Sequence, residues 1–355
     1  AALKPGAHVG DLQINAILGV GSSGITYLAT DPAIGTRFAL KEYLPSRHVI
    51  RGDDGVVSPS SESFSRVFKE GLKQFLNEAQ IVATLDHPNV VTILRFFEAN
   101  GTAYFLMPYY QGQSLHHRLE SGDEFSREDA KALILPLMDA LEYIHEQGVI
   151  HQAINPSNIH MIEGGKPVLL DFSAAAKNET GDRAVDVPGG STYTAPEQHE
   201  TDGRIGPWTD IYSLAASLYR CVTGTVPASS SERRRQLDAG EADPLIPFSK
   251  LAPAGQFGGL TDAVELGMNL SPGERPRDVG QWRKSFESLD WHRSVVVGGS
   301  TETYAKERKE WLPTVLLVIF VLAMSAIGIF LLTGKSPQLG RESGVTSTTT
   351  DGGER

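Results

Sequence analysis

The segment His151-Gln152-Ala153-Ile154-Asn155-Pro156-Ser157-Asn158, followed thirteen residues after Asn158 by Asp171-Phe172-Ser173, decides how this chain is read. It is a short polar loop between apolar flanks, with Val149-Ile150 before it and Val168-Leu169-Leu170 ahead of Asp171. Position 153 is an alanine, which can neither take nor give a proton, and neither 152 nor 155 is basic. Whether the loop performs chemistry or keeps only the outline of a site turns on these few side chains.

Working outward, the loop follows a long amphipathic stretch, Ser126 to Gln147, whose opening Ser126-Arg127-Glu128-Asp129 suits a helix N-terminus. Further helices are expected over Trp208 to Thr223 and Gln281 to Leu289. Towards the N-terminus the pattern changes to β. Strands are expected at Leu12–Leu18, Thr26–Ala29 and Arg37–Lys41, then at Val91–Phe97 and Ala103–Met107, the last two joined by an Asn100-Gly101 turn. Between the two groups, Phe64, Val67, Phe68, Leu72, Phe75, Leu76, Ala79 and Val82 have helical spacing, closed by Asp86-His87-Pro88-Asn89. Pro45 to Pro59 is polar and reads as a surface insertion. The coarse result is a small β-rich lobe followed by a larger helical one, without an internal repeat.

Gly19-Val20-Gly21-Ser22-Ser23-Gly24 fits GxGxxG, a weak signal by itself. A dinucleotide fold would open a helix here and place an acidic residue about twenty positions on. Instead Ile25-Thr26-Tyr27-Leu28-Ala29 continues as strand, and Lys41 stands twenty residues after Gly21. A glycine turn between strands with a strand-borne lysine lets the backbone cover phosphates while the ammonium meets their oxygens. The competing reading of these residues is a glycine hairpin with a surface lysine. Glu78, nine residues before His87, is the candidate to hold Lys41 in place.

Composition bounds the rest. The 355 residues suffice for one large or two moderate domains, and 40% apolar with 21% charged residues is ordinary for a globular chain. A net charge of -11 argues against a nucleic-acid binder, which needs clustered positive surface. Arg233-Arg234-Arg235 is short and reads as a solvated loop. Cys221, the one cysteine, permits no internal disulfide and reads as a small buried hydrophobe. His116-His117 and His145 lack metal-ligand spacing and read as surface or helix-packing residues. Ala1 to Leu12 lacks the continuous apolar core of a secretory signal.

Leu312 to Leu332 is twenty-one residues without charge, long enough as a helix to span roughly 30 Å, the hydrocarbon thickness of a bilayer. Trp311 suits the interface, and Lys306, Arg308 and Lys309 mark the cytoplasmic side against Lys335 and Arg341 beyond. The tail from Thr333 is rich in Ser, Thr and Gly and too short for a folded sensor domain.

In family order, Ala39-Leu40-Lys41, Glu78, Met107-Pro108-Tyr109, Asp171-Phe172, Ala195-Pro196-Glu197, Asp210 and Glu274-Arg275-Pro276 resemble a bacterial membrane-anchored serine/threonine protein kinase, from about Asp11 to Leu289. Phe38 to Pro45 with the insertion after it resembles one bacterial subgroup. The resemblance implies an α+β, two-lobed kinase fold. The domain would fill 1–290, with an N-lobe of about 11–107 and a C-lobe of about 108–290. A juxtamembrane linker at 291–310, a transmembrane helix at 311–332 and a disordered extracytoplasmic tail at 333–355 would follow.

It implies ATP held by Gly19, Gly21, Gly24, Ala39, Lys41 and Glu78, with Met107 as gatekeeper and Pro108 to Tyr110, Tyr109 among them, as the hinge against adenine. Magnesium would sit at Asn158 and Asp171. The departures cluster elsewhere. Ala153 occupies the position of the base, Asn155 that of a phosphate-steadying lysine, Gln152 that of an arginine gripping a phosphorylated activation segment, and Ser173 that of a glycine. Three neighbouring departures read as natural loss rather than as one engineered change. His151 would pack under Phe172, Glu197 and Arg275 would form a buried ion pair, Asp210 would bond the catalytic-loop backbone, and Trp208 would be scaffold. Thr180, Ser191, Thr192 and Thr194 fall in the activation segment.

Losing a general acid–base group costs about 10²–10⁴-fold in rate, about 3 to 5 kcal/mol. Phosphoryl transfer depends mainly on positioning and electrostatics, so this loss alone does not abolish it. The reading is therefore an ATP-binding pseudokinase acting as regulator or scaffold on a cytoplasmic protein partner. The alternative is an active, slow serine/threonine kinase transferring the γ-phosphate to protein Ser/Thr.

Overall fold

The structure, a computed structural model, describes residues 2–21, 23–122, 124–175, 192–252, 257 and 259–286. The linker, the Leu312–Leu332 segment, the tail, Thr180 and Ser191 lie outside these residues. No helix among the described residues is long and apolar enough to cross a membrane.

The upper lobe is a six-stranded antiparallel sheet in the order β1-β2-β3-β4-β8-β7. Its strands are β1 (His8–Val9), β2 (Leu12–Val20), β3 (Gly24–Thr30), β4 (Arg37–Tyr43), β7 (Arg95–Ala99) and β8 (Thr102–Pro108). Leu12 and Ile14 alternate inward at the start of β2, which then carries its last six residues exposed, out to Val20. At the β7–β8 turn, Asn100 (φ 51°) and Gly101 (φ 70°) both adopt positive φ, as a two-residue hairpin with a primed turn demands. The Val91–Phe97 strand expected from its apolar run begins only at Arg95. Val91 instead bonds Leu169 across to the lower lobe, and Leu94 bonds Leu106.

Helix α1 (Glu62–Ala83) buries Phe68, Phe75 and Ala79 in the upper core, Val82 in the lower one, and Glu78 between them. Gly71 in its middle carries the roughly 0.5–1 kcal/mol penalty of a helical glycine. A Cβ there would stand 2.0 Å from the Tyr43 hydroxyl, so the glycine makes room for that ring.

The Pro45–Pro59 stretch is not a loose surface insertion. It forms a hairpin, β5 (Val49–Arg51) with β6 (Val57–Pro59), and buries Val49 and Val57 in the upper core.

Below the hinge, β9 (Gly112–Ser114), β10 (Ile159–Ile162) and β11 (Pro167–Leu169) form a three-stranded sheet, and among the described residues the other elements there are helices. The helices are α2 (Leu115–Glu120), α3 (Arg127–Glu146), α4 (Pro207–Thr223), α5 (Ser230–Asp238), α6 (Phe248–Leu251), α7 (Leu260–Gly267) and α8 (Val279–Lys284). Ser126 caps α3 in a reciprocal capping box with Asp129. The expected Gln281–Leu289 helix starts two residues early, because Asp278 caps it through Gln281, and residues 287–289 lie outside the description. Trp282 is fully buried and donates to the Ala263 carbonyl at 2.9 Å. Full burial of such a side chain stabilises by about 1.5–3 kcal/mol.

Arg233 also corrects the solvated-loop reading. It lies on α5, is 6% exposed, and bonds Asp243 at 2.9 Å and the Met268 carbonyl at 2.8 Å. Arg235 remains exposed, paired with Glu232. Cys221 is buried, and burial pushes its thiol up to about 12, which makes it inert. Met107 and Ile93 are the partly buried residues that touch both the upper and the lower core.

Candidate active site

Strand β4 projects Ala39 and Lys41 towards the cleft between the lobes, and β8 places Met107 and Phe105 directly opposite them. Lys41 Nζ lies 3.2 Å from Glu78 Oε1 on α1 and 3.2 Å from Asp171 Oδ1, so three elements distant in sequence meet at one ammonium. Burial alone would pull Lys41 down. The carboxylates of Asp171 and Glu78 outweigh it and hold the ammonium well above the ordinary lysine value. For Asp171 burial acts upward, but Lys41 and the Ser173 side chain carry the carboxyl down to about 2. Glu78 is the most deeply buried of the three, and burial raises it against the pull of Lys41. Asp171 and Lys41 are both charged at neutral pH, which leaves a carboxylate at the cleft suited to a cation.

Glu78 Oε1 also accepts the Phe172 amide at 3.2 Å. The helix carrying Glu78 and the loop carrying Asp171 are thereby locked to each other. Phe172 is fully buried, with the His151 ring 4.3 Å from it between centroids. Asp171 has a positive φ of 62°, as does Gln152 at 63°. Non-glycine residues in this region are strained and persist where the surroundings over-determine them.

Those surroundings are visible. Asp210, buried on α4, accepts the backbone amides of His151 at 2.8 Å and Gln152 at 2.7 Å, and the His145 ring at 2.8 Å. His151 Nδ1 accepts from the Ala153 amide, so Nε2 carries the proton and donates to the Leu170 carbonyl. Burial keeps that ring neutral. Glu197 and Arg275 pair at 2.6 Å in the interior, with Thr209 on the same carboxylate. The Trp208 carbonyl takes a further bond from Arg275.

The loop itself folds inward on its own backbone. The Ala153 carbonyl accepts from Asn155 Nδ2 at 3.0 Å and Asn158 Nδ2 at 2.8 Å, while Asn155 Oδ1 takes the Ser157 amide. Gln152 contributes its carbonyl to Gln198 and bonds the Ile150 carbonyl with its own amide. Asn155 is consumed by the loop, whereas Asn158 spends only its nitrogen and keeps Oδ1 for a ligand. With the second oxygen of Asp171, this gives two hard donors suited to magnesium, the remainder of its shell coming from phosphate and water. Among the described residues no three His, Cys, Asp or Glu side chains cluster as a metal site by themselves.

Of the glycines, Gly24 packs so closely that a Cβ would stand 1.8 Å from the Glu42 carbonyl oxygen. Gly21 closes the turn onto it through a 2.8 Å backbone bond, and Gly19 faces open space. Tyr109 stacks under the Arg37 guanidinium at 5.2 Å. The Tyr110 carbonyl is taken by His160 Nε2 at 3.0 Å, a contact the sequence reading did not single out. It also missed the aromatic wall around Lys41. Phe105 lies 5.0 Å and Phe75 5.9 Å from Nζ, and the two rings stack. Their spacing was legible: Phe105 is opposite Lys41 in register, and Phe75 is one helical turn before Glu78. The Thr192 hydroxyl donates to the Pro227 carbonyl, and the Thr194 carbonyl accepts the Ser230 hydroxyl at the start of α5.

Residues 12–250 match the protein kinase domain family. The solved structure "PpkA-294 apo form" superposes with a TM-score of 0.70 at 30% identity, covering 80% of this chain and 99% of that one. Serine/threonine-protein kinase PknD of Chlamydia muridarum is 27% identical over 338 residues, 83% of this chain and 33% of the relative. Sperm motility kinase 2B of Mus musculus is 30% identical over 204 residues, 57% of this chain and 40% of the relative. The chain thus spans less than half the length of these curated relatives. A two-lobed fold, a strand-borne lysine paired to a helix glutamate, and a family match across two thirds of the sequence agree: the chain belongs to the protein kinase domain family.

Proposed function

We propose that this family member binds ATP and has largely lost phosphate transfer, working as a pseudokinase regulator or scaffold for a cytoplasmic protein partner. The observation that carries the reading is the loop around Ala153. No carboxylate stands at 153, and the amide at 155, in place of a lysine, is bonded back onto the Ala153 carbonyl. The nucleotide side keeps its charges: Lys41 is paired with Glu78 and Asp171, and Asn158 Oδ1 is left for a cation. ATP, when bound, supplies the phosphate charge that Lys41 and a magnesium ion between Asn158 and Asp171 neutralise. Gly24 and Gly21 shape the turn above it, and Ala39, Met107 and Tyr109 line the base end.

A uniform charge-free run at Leu312–Leu332, with Lys306, Arg308 and Lys309 before it, supports a single-pass inner or plasma membrane anchor with the kinase-like domain on the cytoplasmic side. The net charge of -11 argues against nucleic acid as a partner.

A second reading, an active slow serine/threonine kinase, is favoured by the closed link from the Phe172 amide to Glu78, which assembles the upper and lower halves. One experiment separates the two. Transfer from magnesium-ATP to itself or a generic protein substrate is measured beside a Lys41→Met control, together with thermal stabilisation by ATP. The pseudokinase reading expects stabilisation with no turnover above the control. Turnover that disappears in Lys41→Met sinks it in favour of the second, and absence of stabilisation sinks ATP binding.

A further inference from the structure

Glu42, the neighbour of Lys41, has no part in the site just described, yet it is fully buried. Strand alternation turns it to the face of the sheet opposite the cleft. There it accepts the Tyr27 hydroxyl at 2.8 Å, the Tyr104 hydroxyl, and Arg51 Nη2 at 2.6 Å. Tyr104 is its direct cross-strand partner. Arg51 comes from β5 of the inserted hairpin, and its Nη1 also bonds the Gly55 carbonyl, which fixes the hairpin's own turn. A buried carboxylate requires such partners, so the insertion completes a charge site that the sheet cannot satisfy alone.

The same hairpin is fastened at two further places. The Val57 amide donates to the Asn100 carbonyl at the β7–β8 turn. His48, just before β5, bonds through its carbonyl to the Ser60 amide and stacks at 4.8 Å on Phe64 in the first turn of α1. On the cleft face, Tyr43 lies two residues beyond Lys41 and packs on Phe68 and Phe75 of α1. The hairpin therefore clamps both elements that supply the Lys41–Glu78 pair: β4 through Glu42, and the start of α1 through His48.

We propose that the Val49–Pro59 hairpin is a positioning strut for the nucleotide site, with Arg51 as its positioning residue, setting the separation of Lys41 and Glu78 without touching either. The inference rests on the reading of Lys41 and Glu78 as the nucleotide-holding pair. It adds a regulatory consequence: a partner that lifts the hairpin would loosen the pair from outside the cleft.

The test uses the full chain and two variants. Arg51→Met keeps the stem and removes the cation, and the double variant Glu42→Gln/Arg51→Met also removes the stranded buried charge, so that it folds if the single variant does not. Two readouts are taken at 20 °C with every protein confirmed as folded by circular dichroism. The first is ATP affinity by calorimetry, and the second is acylation of Lys41 by an amine-reactive probe, followed by mass spectrometry. A strut predicts ATP affinity weakened about tenfold, the scale of a small misplacement at a site, and Lys41 labelled several-fold faster, with Arg51→Lys between wild type and Arg51→Met. A lower melting temperature with unchanged affinity and unchanged labelling would overturn the proposal, because the hairpin would then be ballast. If wild type binds no ATP but Lys41 labelling still rises in both variants, the strut stands and the ATP reading falls. If neither readout moves in the folded double variant, the strut falls whatever ATP does.

Discussion

The two halves of the cleft satisfy their polar groups in opposite ways. On the nucleotide side, Lys41, Glu78 and Asp171 are charged side chains held by one another across three elements. On the transfer side, Asn155 spends its amide nitrogen on the Ala153 carbonyl and its Oδ1 on the Ser157 amide of its own loop. Removing one member of such a buried pair strands an uncompensated charge, so each of these side chains depends on the others. A loop that bonds itself needs no ligand to remain ordered. The contrast sets a cross-linked charged cluster against a loop that satisfies itself.

The largest expected effect breaks the charged half. Lys41→Met leaves Glu78 buried against Asp171 with no counter-charge. Stability should fall by about 2–3 kcal/mol, less than for a dry pair because a third of the Asp171 side chain meets water. ATP affinity should weaken by about 100-fold or more, as expected when a group paired to phosphate is removed. Chemical denaturation and calorimetry measure the two. Unchanged ATP binding would mean that the cluster is scaffold.

The next prediction rebuilds the other half. Ala153→Asp with Asn155→Lys restores a proton acceptor and a cation at the loop, at the cost of the Asn155 bonds. Phosphate transfer to a generic substrate should rise by about 10²-fold or more, the usual contribution of a general base. No increase would show that the remaining departures, Gln152 and Ser173, had also disabled the scaffold. The comparison would then extend beyond two positions.

The nucleotide half was largely legible in the sequence because each of its residues is tied to a local pattern. Lys41 sits in an alternating strand, Glu78 on a periodic helix, and Asp171 after an apolar run. The inserted hairpin was not legible. Its polar composition is that of a loop, and only tertiary partners, Glu42 for Arg51 and the upper core for Val49 and Val57, turn it inward. Arg233 failed for the same reason: nothing near it in sequence announces Asp243 and the Met268 carbonyl as partners. Val91 to Leu94 misled in the other direction, since an apolar run says that a segment is buried, not where its amides bond. The inward turn of Asn155 was equally hidden, because whether an amide faces a substrate or its own backbone depends on loop dihedrals that composition does not encode.

Smaller changes sharpen the contrast. Asn158→Ala should remove the magnesium-dependent increment of ATP affinity, about tenfold, while leaving metal-free binding as it was. Calorimetry with and without magnesium reads the difference, and equal loss in both would make Asn158 a loop brace only. Asn155→Ala should cost about 1 kcal/mol of stability for its lost loop bonds and leave ATP affinity unchanged. A thermal melt with an ATP titration checks this, and weakened ATP binding would place Asn155 on the nucleotide side.

The smallest effect is a pH dependence that separates the halves without altering chain geometry. The folded-state Asp171 carboxyl lies at about 2, against an ordinary 3.8, so the unfolded chain takes up a proton there before the folded one does. The resulting stabilisation is fully present above pH about 4 and is lost as pH falls towards 2. The transfer-side amide of Asn155 does not titrate and adds nothing to that slope. Stability measured by denaturant from pH 5 down to 2 should therefore be steeper for wild type than for Asp171→Asn, with the difference confined to that window. Identical slopes would show that Lys41 does not hold Asp171 in its charged form. The charged half would then be no better fixed than the loop it faces.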